Sequence, residues 1–268
     1  MSSAPDAPQG GDLVYRHRLP VRLWHWINAL SVIVMLMSGL MIFNAHPHLY
    51  WGAYGANSDH SWLDITPGHL RVGPLTIPTP GILGVSPGGR FVAFPPLVTI
   101  PSSYNLAHAR EWHLAFAWVL VVPGLLYCAW GFARRHFRRD LAPTRAELRP
   151  SHIAHDVARH ARLRFPTGEA ARHYNVLQKL AYCSVIFLLI PGVVLTGLTM
   201  SPALDAAWPW LLDLFGGRQS ARSIHFICAT GLALFILVHL AMVLLAGPFN
   251  EIGSMITGRY RLPRERRE

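Results

Sequence analysis

The sequence predicts an all-α membrane protein, a four-helix bundle with both termini on the cytoplasmic side and a long outer loop between helices one and two. Three observations lead there. Hydrophobic residues make up 51% of the 268-residue chain and charged residues only 14%, against about 25% in a soluble domain. Four runs each supply the roughly 20 apolar residues that a helix needs to cross a hydrocarbon core. The basic residues, all arginine except Lys179, gather in segments that flank those runs. A formal net charge of +10 could serve a nucleic-acid surface, but arginines arranged in this way set membrane orientation instead.

The elements follow in order. Residues 1–12, rich in Ser, Ala, Pro and Gly, read as a disordered tail. The membrane domain occupies 13–260, and 261–268 form a basic tail. The first apolar run starts too late and is too long for a cleavable signal peptide. The spans are Leu23–Phe43, His113–Phe132, Leu180–Met200 and Ile224–Ala246. The third holds Pro191 and several glycines, which membrane helices tolerate. Between spans one and two, residues 44–110 are rich in Gly, Pro, Trp and Tyr, and "GPLTIPTPGILGVSPGG" reads as turns with short strands. The second connection, 133–179, is heavily basic, with "ARRHFRRD" and "ARHARLRF". The segment before span one and the C-terminal tail are basic too. Basic flanks stay in the cytoplasm, which places the N-terminus, the 133–179 loop and the C-terminus inside, and the 44–110 loop outside. Cys128, Cys183 and Cys228 all fall in apolar runs with no C-x-x-C pair, so neither a disulfide nor a zinc or covalent-haem motif is indicated.

Most of the histidines lie in loops, where solvated or interfacial roles are expected; His17, His46, His136 and His160 are examples. Four lie in spans or their first turns: His25, His113, His225 and His239. Polar side chains there are costly and usually functional. His225 and His239 are fourteen positions apart, which on a helix is about 40° short of four turns, on one face and about 21 Å apart along the axis. With the topology above, His25 shares the inner level with His239, and His113 the outer level with His225. Each pair can hold one iron from two sides. Haem leaves two axial positions that neutral imidazole fills, whereas zinc asks for three or four converging protein ligands.

A second pattern agrees. "RLWH" (Arg22–His25), "REWH" (Arg110–His113) and "RSIH" (Arg222–His225) share R-x-x-H, one helical turn apart on one face. Each arginine falls on the water side of its histidine, where it could pair with a haem propionate; the alternative is an arginine reaching for the membrane interface. Gly39, Gly124, Gly197 and Gly231 could admit a flat macrocycle, or simply close helix packing.

These features resemble the four-helix dihaem cytochrome b subunits of formate dehydrogenases and nickel-iron hydrogenases, with the related thiosulfate-reductase and bacterial b561 cytochromes. The resemblance is carried by "RLWHWINALSVIVMLMSGL", "EWHLAFAWVL", "HYNVLQKLAYCSVIFLLIPGVVLTGL" and the His225/His239 pair, and covers most of 14–260. It implies two b haems, with His25 and His239 on the inner iron and His113 and His225 on the outer, and quinone exchange near the inner haem. Asn175 and Gln178 of "YNVLQK" could approach that quinone, or could simply begin a helix. The expected function is electron relay between the quinone pool and a periplasmic metal-centred oxidoreductase, of which a molybdenum enzyme is one kind, docked on the long outer loop through residues such as Trp51, Tyr54 and Trp62. A free-standing quinol-linked b561 oxidoreductase and a haem-free membrane transporter are the competing readings.

Overall fold

The computed structural model describes residues 10–163 and 165–263. Positions 1–9 of the expected disordered tail and 264–268 of the expected basic tail lie outside the described residues. In chain order the elements are β1 (Leu13–Tyr15), α1 (Leu19–Phe43), β2 (His48–Leu49), β3 (Leu63–Thr66), β4 (His69–Val72), β5 (Leu75–Pro78), α2 (Leu106–Ala133), α3 (Pro150–Ala161), α4 (Val176–Ser184), α5 (Ile190–Thr199), α6 (Pro202–Ala207), α7 (Pro209–Leu214), α8 (Arg218–Ala246), α9 (Pro248–Thr257) and β6 (Arg259–Arg261).

Among the described residues, four helices are long and apolar enough to cross a membrane: Leu19–Phe43, Leu106–Ala133, Ala170–Thr199 and Arg218–Ala246. This is the expected four-span architecture. Each helix starts earlier than its apolar run. The first two turns of α2 and α8 carry Arg110, Glu111, Arg218 and Ser220, which can be helical while lying outside hydrocarbon. Hydropathy marks the apolar run, not the backbone hydrogen bonds. The third span is not uniform. A π turn at Val185–Leu189 joins α4 to α5, just ahead of Pro191. Proline lacks an amide hydrogen and its ring crowds the carbonyl four residues back, so the preceding turn widens.

The described residues form two compact units. One comprises Ile27–Val122 and Leu189–Ala233. In it the connection after α1 is folded: β2, β3, β4 and β5 form an antiparallel meander in that order. The sequence suggested turns with short strands, and β5 falls in the quoted Gly/Pro stretch. The β3–β4 hairpin turns at Pro67–Gly68, where Gly68 takes φ +68°. Leu49, Leu63, Ile65 and Ala93 are buried against Phe43 of α1, with Phe226 of α8 packed on the same cluster. Phe43 and Phe226 stack at 4.8 Å. Polar pairs fix the same junction. Asn44 donates to the Phe94 carbonyl at 3.2 Å and accepts from the Phe94 amide at 2.8 Å. Ser223 donates to the Tyr50 carbonyl at 2.6 Å and accepts from Trp62 Nε1 at 2.9 Å, while Ser220 Oγ accepts from the Gly52 amide at 2.7 Å.

The other unit comprises residues up to Trp26, Pro123–Leu188 and residues from Leu234 onward. Here β1 and β6 pair antiparallel, with Val14 opposite Tyr260. Residues 10–12, inside the stretch expected to be disordered, are tied to this ribbon: the Gly11 amide donates to the Leu262 carbonyl and the Leu262 amide to the Asp12 carbonyl. Gly258, at φ +82°, ends α9 in the left-handed conformation and accepts from the amides of Arg16 and His17. Arg16 lies 4.3 Å above the Tyr260 ring and 3.6 Å from a Glu251 carboxylate oxygen.

Candidate functional site

The four span histidines come together in two pairs, one within each unit. His25 on α1 faces His239 on α8 with ring centroids 6.2 Å apart. His113 on α2 faces His225 on α8, also at 6.2 Å. The interplanar angles are 58° and 52°, so neither pair is stacked. All four rings are half-buried.

That spacing suits a shared metal. Two metal–imidazole bonds of about 2 Å, with about 1 Å from each nitrogen to its ring centre, put centroids about 6 Å apart. The donor set fits haem iron, which needs two axial ligands and takes the other four from the macrocycle. The surroundings of the two pairs differ. His113 Nδ1 lies 3.1 Å from Ser38 Oγ, and His225 Nδ1 lies 3.1 Å from Thr196 Oγ1. Around the other pair, His239 stacks on Phe235 at 5.6 Å, and Trp26 meets the His25 ring edge-on at 4.9 Å. His25 Nδ1 is buried with no hydrogen-bond partner.

The four glycines sort into two kinds. A Cβ on Gly39 would meet His113 Cε1 at 3.3 Å, and one on Gly197 would meet His225 Cε1 at 3.5 Å. These two clear the backbone beside an imidazole. Gly124 instead makes room for Trp24, whose ring would lie 2.9 Å from an added Cβ, and Gly231 for Leu189 at 3.2 Å. Trp24 in turn stacks on Tyr127 at 5.7 Å.

The R-x-x-H arginines have separate surroundings. Arg222 donates through Nη1 to the His48 carbonyl at 2.8 Å and through Nη2 to the His46 carbonyl. Arg22 donates to the Ile256 carbonyl and keeps a buried Nε without a partner. Arg110 is exposed. Asn175 and Gln178 form a capping box at the start of α4. Asn175 Oδ1 accepts from the Gln178 amide at 3.0 Å, and Gln178 Oε1 accepts from the Asn175 amide at 3.2 Å. Asn175 Nδ2 also lies 3.3 Å from His160 Nε2.

Several residues were not legible as site or core residues from sequence. Ser38 and Thr196 sit in apolar runs as ordinary small polar residues; the only signal was a hydroxyl residue followed by Gly-Leu in both spans, "SGL" and "TGL". His17 and His136 were expected in solvated or interfacial roles, but both are buried, at 5% and 6% exposure. His17 Nδ1 is 3.3 Å from the Tyr174 hydroxyl, and His136 pairs with Asp140 at 2.6 Å. Burial, then the charges of Arg16, His25 and Arg22, push the pKa of His17 down to about 4. Of the aromatic residues expected to meet a partner, Tyr54 is 90% exposed and Trp51 is 54% exposed, whereas Trp62 packs inward and is bonded to Ser223.

A family model described as prokaryotic cytochrome b561 matches residues 16–258. The chain is 28% identical over 225 residues to a protein of Azospira oryzae provisionally named protein-methionine-sulfoxide reductase subunit YedZ1, covering 84% of this chain and 88% of that one. It is 23% identical over 238 residues to a chain of Azotobacter vinelandii provisionally named Ni/Fe-hydrogenase B-type cytochrome subunit, covering 84% and 78%. A similarly named chain of Cupriavidus necator is 20% identical over 256 residues, covering 91% and 85%. No solved structure matches the chain.

Proposed function

Because the chain belongs to the prokaryotic cytochrome b561 family, and is therefore a multi-pass b-type cytochrome of the bacterial inner membrane with an electron-transfer role, we propose that it is a dihaem subunit linking a periplasmic oxidoreductase to the quinone pool. The observation that carries the proposal is the pair of 6.2 Å imidazole separations on two different sets of helices. In this reading His25 and His239 would hold the inner haem, and His113 and His225 the outer. Haem b supplies reversible one-electron exchange when bound.

The rest of the chain orients and insulates these ligands. Phe235, Trp26, Gly39 and Gly197 hold the imidazoles between apolar walls and bare backbone. Arg22 has a buried guanidinium nitrogen free for a propionate. Arg222 is engaged by the His46 and His48 carbonyls, so its contribution is positive charge rather than a direct bond. Arg110 can offer a solvent-screened contact. At α4 the capping box occupies the side-chain oxygens of Asn175 and Gln178. What remains for a quinone carbonyl is their amide hydrogens, chiefly those of Gln178 Nε2.

The relatives are named as subunits, of hydrogenases and of a protein-methionine-sulfoxide reductase, which favours an oxidoreductase partner over a free-standing enzyme. That partner is a periplasmic metal-centred enzyme, with molybdenum chemistry among the candidates, seated on the 44–105 meander through Tyr54 and Trp51. Membership of a cytochrome family is at odds with the haem-free transporter reading. Acid-acetone extraction of the purified protein, followed by haem quantification, tests the proposal. It predicts two extractable haems b per chain; a single haem would contradict it.

A further inference from the structure

We infer that two matching dipeptides, Ser38–Gly39 on α1 and Thr196–Gly197 on α5, are cradles that fix His113 and His225 as the Nδ1-protonated tautomers, leaving each Nε2 lone pair for iron. The inference rests on the proposed axial role of these two histidines and adds the residues that position them.

The hydrogens can be counted atom by atom. Ser38 Oγ lies 2.8 Å from the carbonyl of Val34, four residues back, and Thr196 Oγ1 lies 2.6 Å from that of Gly192. A carbonyl only accepts, so each hydroxyl hydrogen is directed to its own helix. Toward the imidazole 3.1 Å away, each hydroxyl then has only lone pairs to offer. The hydrogen of that contact must come from Nδ1. A neutral imidazole carries one ring hydrogen, so Nε2 is left bare, which is the form that ligates a metal.

The glycine after each hydroxyl residue completes the cradle. It lets the ring lie over bare helix backbone, in the space a Cβ would otherwise share with Cε1. The two are unequal. An added Cβ would be 3.3 Å from His113 Cε1 at Gly39 but 3.5 Å from His225 Cε1 at Gly197. Alanine at 39 therefore forces a ring to move, while alanine at 197 fits. The His25/His239 pair has no such device on His25, whose Nδ1 is buried without a partner.

A hydrogen bond from Nδ1–H to an acceptor raises the basicity of the opposite nitrogen as a ligand and so favours ferric over ferrous iron. Redox titration of purified full-length holoprotein, followed in the visible spectrum, reads this directly. His113→Ala first identifies which component belongs to the outer haem; if no component disappears, the dihaem proposal itself fails. Given that component, Ser38→Ala and Thr196→Ala should each raise its midpoint, leave the other component in place, and speed outer-haem transfer to apomyoglobin about 10- to 100-fold. Ser38→Thr and Thr196→Ser keep the hydroxyl and should hold wild-type values. Gly39→Ala should perturb the same component more than Gly197→Ala. Unchanged outer-haem midpoint and retention in both alanine variants would overturn the inference while leaving the dihaem reading intact. So would an equal shift of both components, or an equal loss of haem from the hydroxyl-retaining variants.

Discussion

At position 17 the sequence offers a histidine in a basic segment, and solvation is the natural reading. Its burial could not be foreseen because the groups packed on it, the Gly258 carbonyl and the Tyr174 ring, come from distant parts of the chain. The fold holds His17 neutral, with a pKa near 4. Its pKa is ordinary, near 6.5, in the unfolded chain. Between these values the unfolded state binds the proton and the folded state does not, so stability falls as pH drops from about 6.5 towards 4. His17→Gln should flatten that part of a thermal-stability profile; a profile identical to wild type would show that His17 is not a source of the acid sensitivity. Gln178 raises a different residue-scale question, since it both caps α4 and is the proposed quinone contact. Gln178→Glu keeps an oxygen for the Asn175 amide but removes the side-chain hydrogens. Both Gln178→Glu and Gln178→Leu should slow haem reoxidation by a quinone analogue. Slowing in the leucine variant alone would assign the effect to the cap. The four span histidines stood out in the sequence because an imidazole in an apolar run has few bland reasons to be there. Ser38 and Thr196 were not, because small hydroxyl residues are tolerated in spans by bonding their own helix.

Among the elements, the helices were the legible part and the 44–105 connection the least legible. Helical runs declare themselves by hydropathy over 20 residues, whereas β2 to β5 are two to four residues long and draw their stability from partners elsewhere. Leu63 and Ile65 are buried only because Phe43 of α1 and Phe226 of α8 supply the other side of the cluster. The polar start of α8 has its physical reason in the same connection. Ser220, Arg222 and Ser223 bond the main chain or side chains of residues 46–62 and hold that segment onto α8. Ser223→Ala orphans the Tyr50 carbonyl and the Trp62 indole hydrogen, each at a cost of about 1–3 kcal/mol where buried. Limited proteolysis should then cleave within 44–105 faster than in wild type while haem content is unchanged. An unchanged cleavage rate would mean that the hydrophobic cluster alone holds the meander.

At the scale of the whole molecule, the central claim is that four histidines hold two haems, with α8 contributing a ligand to each. The fourteen-residue interval was readable in the sequence alone, because helix geometry fixes which positions share a face. The basic flanks, through topology, suggested which histidines share a level, and the rings that face each other are His25 with His239 and His113 with His225. The surroundings that make the pairs unequal were not readable, since they depend on contacts between helices distant in sequence. Potentiometric titration of the purified holoprotein and its His25→Ala and His113→Ala variants tests the claim most directly. The wild type should titrate as two one-electron components. His25→Ala should lose one and His113→Ala the other, with the remaining component near its wild-type midpoint in each case. If both variants lose the same component, or if the wild type holds only one, the assignment of two haems to these two histidine pairs is contradicted.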